Sequence, residues 1–322
     1  GKGGDLYKWN EQGIGYVVVV DINSDNIYNI RDGACVRYLE FQKKMAASGV
    51  KDVPEVRFVY ADISENLLSG VAMKSVHAKE LHDEIWLKET RDFNMISIQF
   101  AIHYLFENKV MLDGLVRNIA ENLRPNGYLI GATFDGYTVF RMLKDKRRGE
   151  SIEGVKGGKV MWRITKQYDN DGLEELPTDA RSLGFAIDVY VQSINSVIRE
   201  YLVSFEYLRS RLLENDIEVV KSEMFGTIFD RNRTLVRIDN EDERRLSFMN
   251  RTFICKRRSG EETLLSDLYR RILDRKDIPA VAKALSRGVK QGKWEDMRGI
   301  VDKMGAVLGE EDFKKLTGRM SD

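Results

Sequence analysis

The chain has 322 residues, 43% of them hydrophobic, which is enough for one large or two ordinary globular domains with a substantial core. Lys+Arg and Asp+Glu each number 51, so no net charge announces a polyanionic partner, and any nucleic-acid contact must come from a local groove. Two widely separated cysteines, Cys35 and Cys255, exclude a disulfide framework and a Cys-x-x-Cys metal site, and no apolar run of about eighteen residues or leader segment is seen; a soluble, intracellular protein without a metal is expected.

In chain order, Gly1-Lys2-Gly3-Gly4-Asp5-Leu6 is a glycine-rich turn feeding a helix, followed by the apolar strand Tyr16–Val20 with Asp21 at its tip. Such a loop ordinarily follows a hydrophobic strand, so position 1 reads as a cut inside the motif, with the first strand of the sheet upstream. Ile27–Met45 reads as a helix, Val56–Tyr60 as a strand running into Asp62-Ile63-Ser64, and Phe93–Gln99 as a buried strand. After it comes Gln99-Phe100-Ala101-Ile102-His103-Tyr104-Leu105-Phe106-Glu107; if this turns helical, Phe100, His103 and Tyr104 share a face at the strand's carboxyl end, where open α/β sheets bind ligands. Lys109–Leu123 and Tyr201–Leu213 read as helices, and Tyr128–Thr133, Ile217–Val220 and Arg251–Lys256 as strands. The alternation implies a mostly parallel α/β sheet with crossover helices.

Between about 155 and 195, β-rich Val160–Ile164 and Phe185–Val191 flank polar Tyr168–Gly172, an inserted hairpin over the sheet's edge. From Gly260 the pattern turns helical, with Leu264, Leu265, Leu268, Ile272 and Leu273 at helical spacing and short helices around Val281–Leu285 and Met297–Met304. The division expected is 1–258 for the main domain and 259–322 for a helical extension, a packing appendage or, more sharply, a docking element.

The glycine loop and the Gln99–Glu107 segment resemble the mRNA cap guanine-N7 methyltransferases, whose loop reads Gly-x-Gly-Lys-Gly-Gly-Asp and whose fourth strand ends in Gln-Phe-x-x-His-Tyr-x-Phe-Glu. Asp62-Ile63-Ser64, Asn122–Tyr128 and Phe225-Gly226-Thr227-Ile228 fall in the family's order, and the last looks most like versions in large DNA viruses. The resemblance implies a Rossmann-like class I methyltransferase fold with a seven-stranded sheet, S-adenosyl-L-methionine as cofactor, and the capped 5′ end of mRNA as substrate. It also implies upstream triphosphatase and guanylyltransferase domains or an activating subunit as partners, and a location in host cytoplasm or virion for a viral protein, in the nucleus for a cellular one.

Gly1, Gly3 and Gly4 would give backbone access at the cofactor site, Lys2 would approach the cofactor or the cap phosphates, and Asp5 would hold the cofactor's ammonium, its bland alternative being a helix cap. Asp21, sixteen residues after Asp5, would accept the ribose hydroxyls; Asp62 and Ile63 would meet the adenine, with an ordinary turn aspartate as the alternative. Gln99, Phe100 and Tyr104 would complete that site, and Phe100, His103 and Tyr104 would also line the guanine pocket unless they are core packing. Guanine presents N1–H and N2–H side by side, which one carboxylate accepts bidentately. Glu200 is the choice, in Arg199-Glu200-Tyr201-Leu202-Val203, which is similar to the family's Pro-Glu-Phe-Leu-Val with Arg199 replacing proline; Glu206 is its rival. Tyr190 and Phe248 would add stacking surfaces, Phe248 standing where the family usually has a tyrosine.

Guanine N7 carries a lone pair and no proton, so attack on a sulfonium methyl needs no acid or base, only alignment and a dry site. Two rivals stay open: a small-molecule methyltransferase, and a methyltransferase-like subunit that binds RNA or scaffolds a capping complex. Lys144-Asp145-Lys146-Arg147-Arg148 reads as a solvated charged loop, with contact to triphosphate or RNA as its alternative.

Overall fold

Four valines closed by an aspartate form β1, Tyr16–Asp21, in the extended conformation β-branched residues favour. It follows α1, Leu6–Glu11, and leads to α2, Ser24–Tyr28, and α3, Ala34–Ala47. The single helix expected over 27–45 is thus two. The break falls at Gly33, where a Cβ would lie 2.6 Å from the Asn29 backbone, so the chain folds back on itself at a point only glycine permits. β2, Glu55–Tyr60, pairs in parallel with β1 and sets Asp21 opposite Tyr60. α4, Val76–His82, runs on as a π-helical turn, Asp83–Lys88.

β3, Phe93–Gln99, is followed by a 3₁₀ turn, Ile102–Phe106, and α5, Lys109–Asn122. β4, Leu123–Phe134, pairs in parallel with β3 and antiparallel with β10, Asn250–Arg257, which in turn pairs with β9, Ile217–Met224. Six of the strands expected in the main sheet are therefore present, hydrogen-bonded as β1-β2 and as β3-β4-β10-β9. α5 buries Leu112, Leu115, Val116 and Ile119 at helical spacing against this second sheet, and α7, Phe205–Leu213, adds Leu208 and Leu212 to the same core. Burial of each such side chain stabilises by about 1.5–3 kcal/mol. The helix expected from Tyr201 begins only at Phe205, because Tyr201 closes a strand.

That strand belongs to the insertion, which is larger than a hairpin. After α6, Gly136–Met142, the chain forms β5, Ser151–Lys156, β6, Lys159–Lys166, β7, Ala186–Val191, and β8, Ser196–Tyr201, in one antiparallel sheet of that order. The two expected strands are its centre, β6 and β7; the edges escaped notice because neither Ser-Ile-Glu-Gly-Val-Lys nor Ser-Val-Ile-Arg-Glu-Tyr alternates apolar with polar residues. Val139 and Phe140 of α6, with Leu143 just after it, pack on Trp162, Ile164, Ile187 and Val189 as a second core. α8, Phe225–Arg231, and α9, Glu241–Phe248, connect β9 to β10.

The computed structural model describes residues 1–89, 92–169 and 172–259. The chain divides into units Gly1–Arg257 and Arg258–Asp322, and every element above lies in the first. The helices expected between 264 and 304 fall outside the described residues. Among the described residues no helix is long and apolar enough to cross a membrane.

One buried side chain ties the fold to the loop after β2. Asn118 of α5 accepts the Leu67 N–H at 2.9 Å and donates to the carbonyls of Ile63 and Glu65 at 2.9 and 2.6 Å. Asn118→Ala strands these buried backbone groups, and we expect a loss of about 2–3 kcal/mol in urea denaturation; an unchanged midpoint would show that the loop does not depend on this side chain.

Candidate active site

The carboxyl ends of β1, β2, β3 and β4 bring the candidate residues forward. At the tip of β1 the Asp21 carboxylate accepts from the Asn23 N–H at 2.7 Å and from Asn26 Nδ2 at 3.1 Å. One strand over, Asp62 closes a tight turn, its Oδ1 accepting from Ser64 N–H and Oγ at 2.9 and 2.7 Å while Lys74 stands 3.6 Å from Oδ2. The turn role foreseen for Asp62 is therefore present, and its side-chain oxygens face partners of their own chain. Ile63 packs against the main core.

In the glycine loop, Gly3 has φ +74 with Ala34 3.6 Å from where a Cβ would stand, while Gly1 and Gly4 face open space. The backbone here is open to a ligand. Asp5 occupies the position before α1 but makes no side-chain cap; its carboxylate pairs instead with Lys8 at 2.6 Å. Lys2 turns to Asp32 at 2.8 Å and Asp25 at 3.8 Å, toward the α2–α3 connection.

The segment after β3 differs from the expected helix. Phe100 takes φ +51, its N–H bonded to the Ala132 carbonyl at 2.8 Å, and the 3₁₀ turn then begins. Phe100, His103 and Tyr104 consequently do not share one α-helical face. Phe100 is exposed and meets Phe225 of α8 edge-on, with ring centroids 6.3 Å apart; His103 is buried, and its ring lies 4.2 Å from that of the half-exposed Tyr104. Gln99 bonds back to Ser97 Oγ at 3.1 Å.

His103 meets Glu200 of β8, its Nε2 standing 3.6 Å from Oε1. Both are buried, and His103 Nδ1, His103 Nε2 and Glu200 Oε2 have no hydrogen-bond partner. Burial pushes the Glu200 carboxyl up to about 7 and the His103 imidazole down to about 4. The imidazole is thus uncharged at neutral pH, and the close approach is not an ion pair. Burial also raises the Tyr104 phenol, helped by the negative charges of Glu200 and then Asp21. One phenol therefore feels both the tip of β1 and the carboxylate of the inserted sheet. Three buried polar atoms without partners on two facing side chains are a local cost to the fold.

Three expected residues stand apart from that cluster. Glu200 opposes Ile187 in the β7–β8 register, and Tyr190, three residues along β7, projects from the other face, its hydroxyl 3.5 Å from Asn195. Phe248 packs on Phe229 at 5.3 Å and against Gly226, within the α8–α9 pair. Glu206 lies on α7 beside Arg209 and lines a cavity of about 310 Å³ with Asp135, Tyr137 and Arg251. In that cavity Asp135, at the end of β4, is buried and paired with Arg251 at 2.8 Å; an aspartate directly after a strand was the signal available for it.

A family model for the mRNA (guanine-N(7))-methyltransferase domain matches residues 1–268. The chain is 31% identical over 246 residues to a probable mRNA-capping enzyme of Acanthamoeba polyphaga mimivirus, covering 71% of this chain and 19% of that protein. It is 28% identical over 224 residues to mRNA cap guanine-N(7) methyltransferase 1 of Arabidopsis thaliana, covering 68% of this chain and 52% of that one. The chain thus spans less than two thirds of the length of these relatives. Among solved structures, an S-adenosylmethionine-dependent methyltransferase from Clostridium acetobutylicum aligns over 80% of this chain and 81% of its own, with 12% identity and a TM-score of 0.41.

The shifted groups make stability depend on pH. Glu200 titrates above its ordinary 4.5, so its contribution is complete below that value and is lost as pH rises through about 7. His103 titrates below its ordinary 6.5, so its contribution is present above that value and fades as pH falls toward 4. Compared with Glu200→Gln by urea denaturation, the wild type should lose ground between about pH 5 and 7.5, and a constant difference would refute the buried, protonated carboxyl.

Proposed function

The chain belongs to the mRNA (guanine-N(7))-methyltransferase family, and we propose that it methylates N7 of the guanosine that caps messenger RNA. What supports this is the buried Glu200–His103 pair with its unmatched polar atoms beside Tyr104. The N1–H and N2–H of a guanine would supply two adjacent donors to the carboxylate and draw it into its charged form. Adenine lacks that pair of donors and would leave the carboxyl buried and unmatched.

S-adenosyl-L-methionine supplies the methyl group as a sulfonium. The donor set fits it: open backbone at Gly1, Gly3 and Gly4, an uncapped helix start at Asp5, a carboxylate at the tip of β1 for a diol, and Asp62 with Ile63 at the tip of β2. Phe100 and Tyr104 would complete the wall toward the guanine, with Gln99 at the end of β3.

Because N7 has no proton to lose, the chain needs no general base. Its residues act by holding. Glu200 fixes the guanine's edge and, once ionised, stabilises the positive charge that develops on the ring. The uncharged His103 adds no opposing charge beside it, and the rings of Phe100 and Tyr104 offer faces to a cation. Such positioning aligns nucleophile, methyl and leaving group before reaction.

We further propose that this chain acts beside the activities that build the cap, as the capping-enzyme relative suggests. It would act inside the cell, where Cys35 and Cys255 stay reduced.

The first test is transfer of labelled methyl to GpppA-capped RNA, with an N7-methylated cap as control acceptor: label on the first and not the second is expected, and label on neither counts against the assignment. Glu200→Ala should lower kcat/KM by about a hundredfold while the cofactor still binds. Asp21→Ala should weaken cofactor binding about tenfold by calorimetry, and wild-type affinity would remove Asp21 from the site.

A further inference from the structure

Behind α6 lies a second feature that the methyl-transfer site does not use. Lys146, Arg147, Arg148, Lys166, Tyr168 and Asp169 line a cleft of about 370 Å³. Resting on the function proposed above, we propose that this cleft holds a backbone phosphate of the RNA that follows the cap.

The loop is built rather than merely charged. Lys166, at the end of β6, is almost fully buried, and its Nζ donates to the carbonyls of Leu143 and Lys146 at 3.1 and 2.7 Å while lying 4.9 Å over the Tyr168 ring. A buried ammonium bonded to two carbonyls of the turn that follows α6 fixes the backbone there. The side chains of Lys146, Arg147 and Arg148 therefore start from an anchored segment.

Their charges are unequally occupied. Lys144 is drawn away by Glu174, and Arg148 leans 3.7 Å from Asp169. Glu150 accepts the Arg147 backbone N–H, not its guanidinium, at 2.8 Å. Among the described residues, no carboxylate lies within ion-pair distance of the Lys146 or Arg147 side chains. On the wall itself, the Tyr168 hydroxyl is buried without a partner, a donor lacking an acceptor. Two cations without a carboxylate partner among the described residues, with an unmatched hydroxyl, outweigh the one carboxylate of the lining, Asp169, and suit a phosphate oxygen.

Position links the cleft to the guanine. Lys166 opposes Ile187, which opposes Glu200, so the three stand in one row on one face of the inserted sheet. Two strand spacings separate the outer members, about 10 Å of backbone. Ile187 is core, so the row gives the separation and not the path; a chain leaving the cap through its triphosphate spans a distance of that order, and cations track an unpaired strand.

The experiment compares two acceptors, GpppA dinucleotide and GpppA-capped RNA of about 15 nucleotides, in wild type and in the combined Lys146→Ala, Arg147→Ala, Arg148→Ala variant. For the RNA we expect KM to rise about tenfold and the slope of log KM against log salt to flatten by about 0.7 for each phosphate that the variant no longer neutralises. For the dinucleotide, kcat and KM should not move, which also shows that the variant folds. An unchanged RNA KM, or an equal loss on both acceptors, overturns the proposal. Uncapped RNA binding, read by fluorescence anisotropy, should weaken in the same variant even if neither acceptor is methylated, which separates this cleft from the assigned reaction. Tripolyphosphate that displaces this RNA as well as unlabelled RNA does would identify a site for free polyphosphate and reject the RNA.

Discussion

A single backbone hydrogen bond, from Phe100 N–H to the Ala132 carbonyl, decides where β3 stops and what the chain does next. The bond extends the β3–β4 ladder by one residue beyond Gln99, and the chain leaves it through a left-handed Phe100. That conformation costs a non-glycine residue about 1–2 kcal/mol, and it persists because β4 is itself clamped between β3 and β10. From this turn the 3₁₀ segment follows, and with it the burial of His103 and the half-exposure of Tyr104. Were β3 to run on, the imidazole would face elsewhere.

The partner of His103 comes from a different layer, and backbone bonds hold the layers in step. Gly184 N–H donates to the Phe106 carbonyl at 3.0 Å, joining the end of the 3₁₀ turn to the segment entering β7, and Gly136 N–H donates to Val203 at 3.1 Å where β8 leaves the inserted sheet. Between these two ties β8 can hardly shift, so Glu200 is held at its 3.6 Å approach. A buried carboxyl and a buried imidazole without full partners are a local cost that the two flanking cores offset.

Much of this was legible in the sequence where the signal was local. Four valines before Asp21 and the Gln99–Glu107 segment each announced a strand end with chemistry on it, and the strands of the main sheet are found where the apolar runs lie; Glu200 was legible as a residue, but its strand was read as the entry to a helix. What escaped depends on distant partners. The break at Gly33 requires the Asn29 backbone to fold against it, and the edge strands β5 and β8 have no apolar alternation of their own, taking their form from β6 and β7. Tyr190 illustrates the period of two: a spacing of three from the residue opposite Glu200 reverses its face, which a count from Glu200 along the sequence does not show. Asn118 carries no motif at all, yet it holds the loop of Asp62 and Ile63 from 55 residues away.

The placement of β10 has a kinetic side. This strand, the last of the described elements, slots between β4 and β9, and Arg251 reaches back 116 positions to Asp135 while Arg257 reaches back 134 to the Leu123 carbonyl. Closing a loop of that size costs about 4 kcal/mol of chain entropy before any contact rewards it. The native sheet therefore rests on contacts of large sequence separation, the kind that raise contact order. Until Asn250–Arg257 is in place, the flank of β4 that it covers has unpaired backbone groups, an open strand edge.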